Sequence, residues 1–427
     1  MIDCNQHKTN PNLFFIIWAG GGVLVAYFLV YALRKAFTAA TFEGLSLWGL
    51  DYKVVISICQ ITGYLLSKYC GIKIVSELKR RHRLPAIILS ALGAESSLAL
   101  FGLIPYPFNF FLLFFNGLSL GCMWGFLFSY IEGRRLTDIL AGFLGVSIVI
   151  SSGAAKSFGL YVLSFDVNPF WMPAIIGGIA MPLLVGISFL LDKLPEPTAE
   201  EKNEKSERVP LDKNQRKALI RKYSLWLIPL LVVNILYTVL RDIKEDFLVD
   251  IIQHTNIQLS SFLFVRIDAI VTVLLLVILG SMIRVRGNRR ALAILLMLMF
   301  AGSAIVFLSS LFFDGLSAMP VVWLFLQSMG IYTAYLAFQT VFFDRFIACF
   351  NIRGNVGFFI YISDFLGYLA SCLFLFGKSL LNVHINWLEY YNTLGIIVGI
   401  ICMLSTGIVF SMLQQKIRMD LAITNNE

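Results

Sequence analysis

Apolar stretches of about 20 residues recur along the chain from Asn12 to its end, separated by short polar breaks. A helix of about 20 residues spans about 30 Å, the thickness of a bilayer's hydrocarbon core. The pattern predicts twelve spans, at 12–38, 51–72, 85–104, 107–130, 138–163, 170–191, 223–249, 258–283, 291–313, 319–346, 354–378 and 388–412. Outer-membrane barrels are excluded, since their strands alternate and run only about 10 residues. The first stretch reads as a span and not as a cleavable signal, because it runs on without a small-residue cleavage site and carries Arg34 and Lys35.

One polar break differs from the others. Residues 192–222 turn abruptly charged and proline-punctuated, which predicts a solvated linker between an N-terminal six-helix bundle (1–191) and a C-terminal one (223–427). The halves echo each other: Leu33-Arg34 recurs at Leu240-Arg241, 207 residues on, and the basic loop that starts at Lys73 recurs at Arg284, 211 residues on. Parallel repeats of this kind suit a transporter with its substrate site near the midplane between them. The expectation is an all-α membrane protein.

Composition changes the picture in two ways. A chain that is 58% hydrophobic and 14% charged, with mean hydropathy +0.79, needs lipid as its solvent. The net charge of +8 is placed in loops, which points to the membrane and away from nucleic acid. Lys73, Lys79, Arg80, Arg81 and Arg83 fall on one side, with Arg134, Arg135, Arg284, Arg286, Arg289, Arg290, Arg353, Lys416 and Arg418, whereas the opposite loops hold little beyond Lys53, Lys244 and Lys378. The positive-inside rule then puts both termini in the cytoplasm and the chain in the cytoplasmic (inner) membrane. The seven cysteines are scattered and mostly inside apolar segments, which fits buried free thiols; with no HExxH, CxxC or P-loop pattern, neither metal, cofactor nor enzyme chemistry is expected.

Charge inside a span is costly, so each such residue is a candidate for function. Tyr27, Tyr31, Arg34 and Thr38 share one helical face in span one, and Asn234, Tyr237, Arg241 and Glu245 do so in span seven. An arginine's planar fork fits a phosphate or carboxylate, and nearby tyrosines add neutral donors. Lys35, Lys68 and Lys156 add cations; Glu95, Asp268 and Asp364 are coupling or gating candidates. If span two faces eleven and span five faces eight, Lys68 meets Asp364 and Lys156 meets Asp268. Trp124, Tyr332, Tyr335 and Gln339 are further candidates for the lining, in spans four and ten.

These strings resemble the major facilitator superfamily, and within it the organophosphate:phosphate antiporter branch. YFLVYALRKAF is similar to that branch's Tyr-rich segment, which places Arg34 on its phosphate-binding arginine; NILYTVLRD places Arg241 on the second, and GYLLSKY places Lys68 on a lysine near the substrate. FNGLSLGCMWG, RGNRRA and FLGYL agree in order and spacing. The chain departs from the pattern in GIKIVSELKRRHR, in lacking the branch's span-five histidine, with Lys156 near its place, and in the carboxylates Asp242, Glu245 and Asp246 after Arg241. The resemblance implies a monomeric secondary transporter that moves an organic anion, a phosphorylated one, by rocking two bundles. A proton-coupled carrier of another small molecule, or a transporter-like sensor, are the rival readings.

Overall fold

The computed structural model describes residues 13–132, 134, 136–196, 213–253, 255, 260–285, 287–350, 356–380 and 386–424. The long helices in chain order are α1 (Phe14–Ala39), α2 (Tyr52–Ser76), α3 (Arg80–Leu103), α4 (Leu112–Ile131), α5 (Thr137–Leu163) and α6 (Met172–Asp192). They continue as α7 (Lys213–Gln253), α8 (Leu263–Ser281), α9 (Asn288–Leu311), α10 (Pro320–Thr340), α11 (Val356–Leu380) and α12 (Trp387–Thr424). Among the described residues ten helical stretches are long and apolar enough to cross a membrane. Helices α2 and α11 are not among the ten; in α11 the residues whose side chains are described, Ile362–Gly377, are a shorter apolar stretch. The molecule is a multi-pass membrane protein, with large apolar side chains such as Leu89, Ile179, Val277 and Leu404 exposed on its outer faces, where lipid would cover them.

Two parts of the predicted organisation change. Residues 213–222, expected in the linker, form the first turns of α7, because a run of Lys, Gln, Arg, Ala and Leu with no proline lets the helix propagate outward. Residues 197–212 lie outside the described residues, as do Arg135, Arg286, Arg353, both chain ends and the side chain of Lys378. Lys53 and Lys244, expected in loops, are buried within α2 and α7.

Helix packing follows a regular scheme. Helix α1 packs on α5 and α6, α3 on α4 and α6, and α2 on α4; α7 packs on α11 and α12, α9 on α10 and α12, and α8 on α10. Adding six to each number of the first set yields the second. The contacts α2 with α11 and α5 with α8 exchange under the same shift.

Small residues permit the closest approaches. A Cβ on Gly63 in α2 would stand 2.0 Å from the Phe114 carbonyl oxygen in α4, and one on Gly117 in α4 would stand 2.1 Å from the Gln60 carbonyl oxygen. Gly302 and Gly330 face each other in the same way across α9 and α10. Between α1 and α2 the chain reverses through a hairpin, β1 (Ser46–Leu47) and β2 (Leu50–Asp51), whose turn residues Trp48 and Gly49 take positive φ. The Asp51 carboxylate then accepts from the Lys53 amide at 2.9 Å and caps α2.

Gly117→Val forces α2 and α4 apart and is expected to destabilise the protein by about 1–3 kcal/mol, whereas Gly142→Val, with open space around it, should leave the thermal midpoint in detergent unchanged. Equal midpoints for the two variants would contradict the packing described.

Candidate functional site

Local breaks in two helices set the site. Helix α1 leaves α geometry at Lys35 (φ −115°, ψ 2°) and ends in a 3-10 turn, Ala36–Ala39, with Thr38 Oγ1 donating to the Lys35 carbonyl at 2.8 Å. Helix α7 kinks at Phe247 (φ −117°, ψ 16°), whose ring stacks 3.8 Å from that of Trp387 in α12. Four carboxylates, Asp242, Glu245, Asp246 and Asp250, flank that kink, and all are buried.

Each of these acids meets a donor, from a neighbouring helix or from α7 itself. The Lys35 ammonium donates to Asp246, and Lys53 Nζ lies 2.5 Å from Asp250 Oδ2, so α1 and α2 are pinned to α7. Arg241 Nη2 lies 2.7 Å from Asp242 Oδ1, and its Nε is 3.9 Å from Glu245 Oε1. Glu245 also accepts from Tyr31 at 3.3 Å and Tyr332 at 3.1 Å. The three carboxylates after Arg241 are therefore inside the site, and one of them already occupies that arginine.

Lys68 meets Asp364 as expected, Nζ to Oδ2 at 2.6 Å, across α2 and α11. The pair extends through Gln339, which donates to Asp364 at 2.7 Å and to Asn234 at 3.0 Å. Lys156 does not pair with Asp268. Its ammonium donates to Ser152 Oγ at 3.1 Å, one turn back on its own helix, while Asp268 has Lys244 Nζ at 3.6 Å and packs against Gly153. The buried Lys244, read from sequence as a loop residue, takes the place foreseen for Lys156.

Arg34 is 2% exposed, so it neither snorkels nor reaches a headgroup. Its guanidinium carbon lies 3.8 Å above the Tyr64 ring and 5.7 Å from the rings of Tyr31 and Tyr368. Among the described residues it has no ion-pair partner, and its Nε has no hydrogen-bond partner. Arg241 stands 4.5 Å from the Tyr335 ring and 5.5 Å from Tyr368. Both guanidinium groups thus border the one Tyr368 ring, and they are at most 11.2 Å apart. The backbone that carries Arg34 is tied down by Gln60, which donates to the Arg34 carbonyl and to Asn116 at 2.9 Å, and by Asn116, which donates to the Leu33 carbonyl at 3.1 Å.

Three predicted residues lie apart from this cluster. Tyr237 donates to Ser303 Oγ at 2.9 Å in α9, since at 100° per residue it sits about 80° round the helix from Glu245. Trp124 stacks on Phe128, 4.9 Å away at 8°. Glu95 lies between α3 and α6 beside Gly177 and Leu33, and its Oε2 has no hydrogen-bond partner. Sequence reasoning missed Gln60, Tyr64, Asn116 and Tyr368. Polar residues inside otherwise apolar spans were the available signal, and Tyr64 and Tyr368 stand in the strings GYLLSKY and FLGYL.

Solved structures of transporters share this helical fold. The D-xylose–proton symporter matches with a TM-score of 0.58 at 13% identity, over 91% of this chain and 96% of that one. A variant of the nucleoside transporter NupG matches with a TM-score of 0.59 at 14% identity, over 92% and 99%. A variant of the peptide transporter POT in complex with alafosfalin matches with a TM-score of 0.56 at 13% identity, over 93% and 94%. No curated protein matches the chain in sequence. Residues 36–416 match the family described as "Family of unknown function (DUF5690)", and the chain belongs to that family.

Removing one partner of the Lys35–Asp246 pair leaves an uncompensated buried charge. Asp246→Asn is expected to cost about 3–5 kcal/mol, and Lys35→Met combined with Asp246→Leu to recover most of it, in a double-mutant cycle of thermal unfolding. Additive losses would mean that the two groups do not interact.

Proposed function

We propose that the chain is a secondary transporter that carries a small organic anion across the membrane by alternating access, with Arg34 as the seat of the anion. The observation that carries this reading is the state of Arg34: fully buried, aromatic-walled and unpaired, where the neighbouring cations have carboxylates. A buried guanidinium without a counter-charge is expensive, and a bound carboxylate or phosphate would supply two of the hydrogen bonds it lacks. Tyr31 and Tyr64 line the same seat.

The reading includes twelve crossing helices in two six-helix bundles, 1–191 and 223–427, joined by a cytoplasmic linker. The two-fold packing scheme supports it, as do ion pairs that join α1 and α2 to α7 and α11, since such contacts must break and reform when bundles rock. The basic loops support a cytoplasmic-membrane location with both termini inside. Lys35, Lys68, Asp364 and Asp268 act in this reading as links between the bundles, Arg241 as a donor shared between Asp242 and the substrate, and Asn234 through Gln339 as a support for Asp364.

A proton-coupled carrier is the second reading, favoured by Glu95. An intramembrane carboxylate oxygen without a partner is the kind of group that takes up and releases a proton. Glu95→Gln should then abolish the dependence of uptake on a pH gradient while leaving ligand-induced stabilisation intact. Unaltered pH-driven uptake in that variant would remove Glu95 from the mechanism.

Arg34→Ala is expected to lose at least tenfold in anion-dependent thermal stabilisation and to abolish uptake into proteoliposomes. Arg34→Lys should restore only part of either, because an ammonium lacks the fork. Full function in Arg34→Ala would refute the assignment.

A further inference from the structure

The buried charges of the inner cluster pair off almost completely, and the remainder is informative. Lys35 faces Asp246, Lys53 faces Asp250, Lys68 faces Asp364, Lys244 faces Asp268, and Arg241 faces Asp242. Glu245 also lies 3.9 Å from Arg241, and Lys156 donates to Ser152 with no carboxylate within ion-pair distance among the described residues. Among the described residues the cluster thus holds seven cations, these five with Lys156 and Arg34, against six carboxylates, so one positive charge is left unbalanced. Glu95 does not enter this count, since it lies outside the cluster, between α3 and α6. Arg134 is also apart, with its guanidinium on the carbonyls of Tyr130 and Pro195 at the ends of α4 and α6.

We infer that the site is built for a substrate with a single negative charge, and that it discriminates against dianions such as phosphate monoesters. This deepens the proposal of Arg34 as the anion's seat and rests on it. The physical reason is charge neutrality in a medium of low dielectric constant. A monoanion on Arg34 makes the cluster neutral. A dianion leaves one net negative charge among the α7 carboxylates, where Asp242 Oδ2 and Asp246 Oδ2 already lack hydrogen-bond donors. Two arginines converge at Tyr368, the arrangement that would suit a dianion, but Asp242 neutralises one of them. A carboxylate or a phosphate diester fits the remaining fork.

The test uses the full chain in detergent at pH 7 and three probe sets of equal length: alkyl phosphate monoesters (mostly dianions), their methyl diesters and alkyl carboxylates (both monoanions). Thermal stabilisation against concentration is the readout. The expected result is that monoanions act at concentrations at least tenfold below those of dianions, and that Arg34→Gln loses both. Glu245→Gln, or Asp364→Asn on a different helix should the first fail to fold, adds one positive charge to the cluster and should shift the preference at least tenfold towards dianions. A dianion preference in the parent that Arg34→Gln removes would overturn the charge rule and leave the anion seat standing. A parent preference that neither charge variant alters would also overturn the rule. Stabilisation that Arg34→Gln leaves unchanged, or none by any probe, would overturn the seat and the rule together.

Discussion

Charge compensation inside a low-dielectric protein is the constraint on which the rest of this structure depends. Helix α7 carries four buried carboxylates within nine residues, Asp242 to Asp250, a density that no membrane helix sustains alone. The cations that make it tolerable are Lys35 from α1, Lys53 from α2 and Arg241 from α7 itself. The acids of α7 therefore dictate which helices must lie beside it. The central packing of the molecule and the composition of its site follow from the same pairs.

Backbone irregularities place these groups. The break at Lys35 directly follows Arg34 and the kink at Phe247 comes six residues after Arg241, and each lets residues separated by a few positions diverge from a common helical face. Glycines do the complementary work where backbone must approach backbone, as at Gly63 with Gly117. The result is a rigid surround of helix contacts with a polar centre, where Gln60 and Asn116 hold the Arg34 backbone and Tyr64 holds its guanidinium.

The resemblance to phosphate-exchanging antiporters predicted two equivalent arginines. In the fold they are close to one ring yet chemically unequal, one free and one held by the aspartate that follows it in sequence. Asp242 was visible as a departure from the pattern, but a residue adjacent to Arg241 points about 100° away on an ideal helix, so its bond to the guanidinium was not legible. Lys68 and Asp364 were legible as partners, because both are lone charges on helices expected to face each other. Lys156 and Asp268 were not, because the expectation left out Lys244, which the charge pattern had placed in a loop.

What the sequence determined by itself is the solvent and the class. Apolar stretches of membrane length permit only helices, and the two charged faces in corresponding spans mark where polarity is tolerated. What only the tertiary structure decided is the partner of each buried charge. A buried lysine needs a partner, but whether it meets an acid, as Lys68 does, or a hydroxyl, as Lys156 does, depends on rotations and breaks of whole helices that no local spacing encodes. That Arg34 has no acid beside it among the described residues becomes apparent once the observed pairs have been placed in space.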